Sequence, residues 1–104
     1  MKVCVVRRDG KDVDDVMTQM VITVGEESFG NIDVYVGFAN TGTSTIIVPN
    51  NQSEPTQYVS FHIPDTTASA KIVHFISEIS RINPFYTVRL IDNKPNSEKS
   101  EESE

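Results

Sequence analysis

The strongest constraint on the fold is an alternation of apolar and polar residues in two short segments. Residues 32–38 (IDVYVGF) place an apolar side chain at every second position, beginning with Ile32. Residues 57–63 (QYVSFHI) repeat the pattern with Val59, Phe61 and Ile63. Because successive side chains of a β-strand point to opposite faces, this period of two predicts strands with one apolar face. Something must therefore cover that face of the sheet.

Four further segments are predicted to be strands. They are short apolar runs, rich in β-branched residues and bounded mostly by turn residues, at positions 3–6, 19–24, 44–48 and 85–91. Short connections between successive strands favour antiparallel pairing. The sequence therefore predicts a mostly antiparallel sheet of about six strands.

One amphipathic helix is predicted over about residues 66–82, before the last strand. Its apolar residues recur at spacings of three and four, at Ile72, Phe75, Ile76, Ile79 and Ile82. One of residues 65–67 (DTT) is expected to act as the N-cap. Pro84 ends the helix, since proline disfavours helical geometry in the residue before it. The predicted fold class is α+β, with this helix packed on one face of the sheet.

The chain is expected to form one globular domain over residues 1–91, followed by a disordered acidic tail. Residues 92–104 (DNKPNSEKSEESE) contain no apolar side chain. Five acids and two lysines give this segment a charge of −3, half of the net charge of −6. A segment of this composition has nothing to bury in a core.

The composition also excludes several classes of partner. A pI near 4.8 disfavours binding to nucleic acid, because phosphate contacts depend on clustered Lys and Arg. No apolar run approaches the roughly 18 residues of a membrane span. The single Cys4 and the absence of a recognisable signal peptide fit a reducing compartment. We expect a cytoplasmic protein with neither a nucleic-acid nor a membrane partner.

The motifs that would carry chemistry are incomplete. Residues 37–44 (GFANTGTS) have the glycine spacing of a phosphate-binding loop, but Thr43 stands where that loop requires lysine. His62 and His74 lack the further ligands that zinc needs. Cys4 lies in an apolar strand, where cysteine usually packs as a small hydrophobe. We therefore expect no catalytic residue, no metal and no cofactor.

Acidic residues are concentrated between positions 9 and 33, which hold seven acids and one lysine. If these segments lie together, they form an acidic face suited to a protein with a basic surface. The predicted binding residues of this face are Asp12, Asp14, Asp15, Glu26, Glu27 and Asp33. The alternative is a solvated surface without a partner.

Two tyrosines are further predicted binding residues. Tyr35 and Tyr58 lie on the polar sides of their strands, and tyrosine is enriched in protein interfaces. The alternative is that both form ordinary cross-strand pairs.

These features lead to one leading hypothesis and two alternatives. The leading hypothesis is a small non-enzymatic acidic protein-binding module, such as an inhibitor or adaptor of the kind encoded by mobile genetic elements. The first alternative is a structural subunit that assembles through an exposed sheet edge. The second is a small enzyme whose site is completed at an oligomer interface. The oligomeric state does not follow from the sequence.

Deletion of residues 92–104 is expected to leave the thermal midpoint nearly unchanged, because this segment contributes nothing to the predicted core. Differential scanning calorimetry of the full and shortened chains provides the comparison. A drop of several degrees would show that the segment packs on the domain.

Overall fold

The computed structural model describes residues 1–39 and 56–91. Their elements follow in the order β1 (Lys2–Arg7), α1 (Asp15–Phe29), β2 (Tyr35–Ala39), β3 (Thr56–His62), α2 (Ser69–Ile82) and β4 (Tyr86–Ile91). The strands form one sheet in the order β2-β3-β1-β4, and every neighbouring pair is antiparallel. This is the split β-α-β, or ferredoxin-like, arrangement, which alone assigns no function.

The register of β1 determines which residues share a face. Val3 lies opposite Phe61 of β3 and Leu90 of β4, whereas Cys4 lies opposite Ser60 and Arg89. Odd-numbered residues of β1 therefore point to one face of the sheet and even-numbered residues to the other. We call these the helix face and the opposite face.

Both helices cover the helix face. The core there combines strand residues with Met17, Val21 and Val24 of α1 and with Phe75 and Ile79 of α2. Three aromatic rings join these layers, those of Phe29, Phe61 and Phe75, whose centroids lie 5.4–5.7 Å apart. Such tilted and edge-on ring contacts add to the stabilisation from buried area. The prediction of an α+β fold with an antiparallel sheet is confirmed.

The prediction of one helix is wrong, because residues 19–24 belong to α1 and not to a strand. The run QMVITV is too short to distinguish the period of a strand from that of a helix, and its β-branched residues favour a strand. Over a longer window Met17, Val21 and Val24 follow helical spacing, and all three are buried. Packing against the sheet thus overrides the local strand preference.

Gly25 leaves room on α1 for the side chain of Ile32. A Cβ added at Gly25 would lie 2.6 Å from Cδ1 of Ile32 and 3.6 Å from the Phe61 ring. The helix then ends at Phe29, where Gly30 has a φ of 83° and donates its N–H to the Glu26 carbonyl. A positive φ is readily available to glycine, so this residue suits the turn into residues 31–34.

The remaining predicted elements agree with the structure to different degrees. β3 and β4 match the segments predicted at 57–63 and 85–91 within one residue, and β1 extends the one at 3–6 by one residue at each end. In the alternating segment 32–38, β2 begins only at Tyr35. The predicted strand at 44–48 and the predicted tail lie outside the described residues. Residues 1–39 and 56–91 contain four strands, whereas about six are predicted for the whole chain.

The start of α2 also differs from the prediction. The helix begins at Ser69 after Ala68, which makes no side-chain capping hydrogen bond. The N-cap expected within residues 65–67 is therefore wrong. Asp65 instead accepts a hydrogen bond of 2.8 Å from the N-terminal ammonium of Met1.

The opposite face has a small apolar cluster of its own. Cys4, Val6 and Ala39 are buried there, with Tyr58 and Ile91 packed against them. Thr56 and Ser60 on the same face are also buried. Because both helices lie on the other side, the helices do not account for this burial.

Phe75→Ala is expected to lower the free energy of unfolding by about 3–5 kcal/mol, because it removes a buried ring that contacts two others. Val73→Ala on the exposed side of the same helix should change it by less than about 0.5 kcal/mol. Urea denaturation measures both. Similar losses in the two variants would contradict the assigned orientation of α2.

Candidate functional site

The most prominent exposed apolar surface of the described strands is β2, at one edge of the sheet. Among the described residues β2 pairs with β3 on one side and with no strand on the other. Its sequence, YVGFA, contains no charge and no proline. Tyr35, Val36 and Phe38 are 62%, 53% and 62% exposed. Natural proteins usually protect an edge strand with charges, proline or a covering segment. β2 has neither a charge nor a proline.

The sequence predicts Val36 and Phe38 on the apolar face of their strand, and in the structure both side chains are more than half exposed. Val36 lies opposite Val59, which is fully buried, so both side chains point to the helix face. α2 packs towards β4, at the far edge of the sheet. The helix layer therefore covers the centre of the sheet and leaves the side chains of β2 exposed.

Tyr58, one of the two predicted tyrosines, packs on the sheet. It lies opposite Gly37, and a Cβ added to that glycine would lie 3.0 Å from the Tyr58 hydroxyl oxygen. The ammonium of Lys2 lies 5.0 Å from the Tyr58 ring centroid, within cation–π range. Tyr58 is thus partly buried beneath Lys2, whereas Tyr35 extends into solvent.

A small cavity lies at the start of β2. Its volume is about 190 Å³, and it is lined by Asn31, Ile32, Asp33, Tyr35 and His62. We call it the Asp33 cavity. Asp33, Tyr35 and His62 are exposed, so the cavity is open to solvent and contains one carboxylate. It brings together two of the predicted binding residues, Asp33 and Tyr35.

The other predicted acids are divided between the two ends of α1. Asp12, Asp14 and Asp15 lie at its start and Glu26 and Glu27 at its end. Asp15 and Glu26 are eleven positions apart in α1, which corresponds to roughly 16 Å along the axis. The exposed residues between them are uncharged, namely Val16, Gln19, Met20 and Thr23. The acids therefore form two separate groups.

Asp14 has a clear structural role. One carboxylate oxygen accepts a hydrogen bond of 2.7 Å from the Met17 N–H and caps α1. The other lies 3.4 Å from the hydroxyl of Tyr86, which donates to it and thereby connects α1 to β4. Burial raises the pKa of this Tyr86 hydroxyl. The capping of α1 therefore gives Asp14 a role within the fold that requires no binding partner.

Few of the predicted acids have a partner within the protein. The ion pairs of the described residues involve Asp9, Asp65 and Glu78 and none of the six predicted acids. Asp12, Asp15, Glu26, Glu27 and Asp33 are all exposed. Their charge is therefore available to a partner with a basic surface.

The remaining reactive groups are not assembled into a site. Cys4 is a free, fully buried thiol. Burial raises its pKa to about 11, against a smaller opposing effect of Lys2. Within residues 1–39 and 56–91 no three His, Cys, Asp or Glu side chains are placed to hold a metal ion. In the same ranges, no helix has the length and hydropathy needed to cross a membrane.

No protein-family model, curated protein or solved structure matches this chain. A functional argument therefore depends on the surfaces of the molecule, since the fold alone supports many functions.

Asp14→Ala is expected to lower the free energy of unfolding by about 1 kcal/mol, because it removes the cap of α1. Asp12→Ala removes the same charge from an exposed position outside the helix and should have little effect. Asp14→Asn should retain most of the stability, since asparagine is also a good N-cap. Equal losses in Asp14→Ala and Asp12→Ala, measured in urea, would assign the effect to charge alone.

The Cys4 thiol should make the protein less stable in alkali. Its folded-state pKa of about 11 exceeds the ordinary value, so the folded state retains a proton that the unfolded state loses. Stability should therefore fall as the pH rises towards that value. Cys4→Ser removes the thiol, and its unfolding free energy between neutral pH and pH 11 should fall less steeply. Parallel curves would contradict the assignment to Cys4.

Proposed function

We propose that this chain is a small non-enzymatic protein-binding module that receives an extended segment of its partner along β2. The observation that carries the proposal is the uncharged edge strand, on which Tyr35, Val36 and Phe38 are each more than half exposed. Addition of a strand to an open edge is a recurrent mode of peptide recognition.

The chemistry of the edge supports this mode of binding. Among residues 1–39 and 56–91 no strand pairs with the outer side of β2, and its backbone N–H and C=O groups can pair with a new strand as they would in a sheet. These hydrogen bonds depend little on the partner's sequence. Side chains above and below the strand provide selectivity, with Val36 and Phe38 on the helix face and Tyr35 on the opposite face.

The length of β2 limits the affinity of strand pairing alone. Five residues correspond to roughly 17 Å of strand. Stable protein complexes usually bury about 1,200–2,000 Å² in total, more than a short strand provides. We therefore propose a partner that also contacts the side chains beside β2. A partner with a basic surface would associate faster, because the exposed acids at both ends of α1 attract it.

A structural subunit is the second candidate, and the position of β4 favours it. In the described sheet β4 is the other edge, with Leu90 38% exposed. Pairing of β2 with β2 of a second copy closes a two-fold dimer, whereas pairing of β2 with β4 continues into an open chain. Both arrangements use the same strand as the binding module.

Val36→Lys and Val73→Lys form a matched pair that tests the role of the edge. The two valines are 53% and 60% exposed, one on β2 and the other on α2. Both variants should fold, because neither lysine enters the core. Affinity capture from the native cell, quantified by mass spectrometry, should show proteins that bind the wild type and Val73→Lys but not Val36→Lys. Identical sets of captured proteins for both variants would contradict binding at β2.

Sedimentation velocity of the purified protein distinguishes the two candidates. A binding module should remain a monomer at micromolar concentration. A subunit should form dimers or longer chains that increase with concentration and that Val36→Lys abolishes.

A further inference from the structure

We propose that the segment added to β2 carries a basic side chain, with arginine favoured, that enters the Asp33 cavity. The inference rests on the proposed function, because strand addition places the partner's backbone alongside β2. It identifies the chemistry of one partner residue and gives Asp33 a binding role.

The register places the cavity at the start of β2, between this strand and His62 of β3. Tyr35 lies opposite Ser60, and Ser60 lies opposite Cys4, so Tyr35 points to the opposite face. Asp33 is two residues before Tyr35 and His62 is two residues after Ser60, and both line the same cavity. Alternate side chains of an added strand point to this face as well. Asp33 precedes β2, so an added strand that runs about 4.8 Å from β2 and continues past Tyr35 brings a long side chain on this face within reach of the Asp33 carboxylate.

No basic side chain of the described residues neutralises Asp33. None of the described ion pairs includes its exposed carboxylate. Lys2 is the basic residue opposite His62, but its ammonium lies over the ring of Tyr58. Tyr58 pairs with Gly37, four residues beyond Asp33, so this charge is directed away from the cavity.

The sequence around the cavity increases its negative charge. Residues 26–39 contain three acids, Glu26, Glu27 and Asp33, and no Lys or Arg. Glu26 and Glu27 are exposed at the end of α1, six and seven residues before Asp33. An incoming cation is therefore attracted to this end of β2, and an incoming carboxylate is repelled.

The lining of the cavity favours arginine over other residues. A guanidinium group can donate to the Asp33 carboxylate and stack on the ring of Tyr35, which a compact ammonium group does less well. A volume of about 190 Å³ leaves space for such a side chain. An apolar side chain in the same position would remove water from Asp33 and replace none of its hydrogen bonds.

The test uses a random peptide library selected on the immobilised full-length protein, with affinities measured by fluorescence anisotropy. Peptides that bind the wild type should lose affinity for Val36→Lys and keep it for Val73→Lys. Among these edge-binding peptides, an Arg or Lys should recur at one position. Asp33→Asn should weaken such peptides about fivefold, the effect of a partly screened ion pair. The same peptides with citrulline in place of that arginine should bind wild type and Asp33→Asn equally.

The possible results separate the two proposals. Edge-binding peptides that lack a recurrent basic residue, or that bind Asp33→Asn as tightly as the wild type, would overturn the role of the cavity and leave β2 as the binding edge. If no selected peptide depends on Val36, binding at β2 is refuted, and the role of the cavity is refuted with it.

Discussion

The packing of three phenylalanine rings between the two helices and the sheet determines the arrangement of the whole domain. Phe61 projects from β3, Phe29 ends α1 and Phe75 lies in the middle of α2, and each ring contacts the other two. This contact fixes the helix layer over the central strands. β2 projects beyond that layer, so its apolar side chains have no cover from the helices. The surface proposed for binding is in this sense a consequence of how the core is packed.

The parts of the fold that depend on local pattern could be predicted from the sequence. The alternation in residues 57–63 has the period of a strand, and the apolar stripe of residues 72–82 has the period of a helix. Both elements are present in the structure, as β3 and α2. The prediction for residues 19–24 is wrong, because a short β-branched run fits either structure and only the longer window with Met17, together with burial in the shared core, indicates the helix. The exposure of Val36 depends on strand order, which is a property of the whole chain. Local pattern indicates that such a residue is in a strand but not whether that strand is at an edge.

The candidate site shows the same division between local and non-local information. Charge alone indicated six acids of similar interest, and the structure gives them different roles. Asp14 caps a helix, and Glu26 and Glu27 lie roughly 16–18 Å from Asp15 along α1. Asp33 stands beside an uncharged edge strand, and this is why a specific partner residue is proposed for it alone. The two predicted tyrosines also differ. Tyr35 is exposed at the edge of the sheet, whereas Tyr58 packs across Gly37.

Amide hydrogen exchange in β2, followed by NMR, tests the central claim most directly. In the free protein the amides of alternate residues within Tyr35–Ala39 should exchange rapidly, because their N–H groups point away from β3. After a selected peptide is added, these same amides should become protected, since a new strand accepts their hydrogen bonds. Slow exchange of all five amides in the free protein would show that the edge is already covered. Protection that appears only on α1 or α2 after the peptide is added would place the binding surface elsewhere.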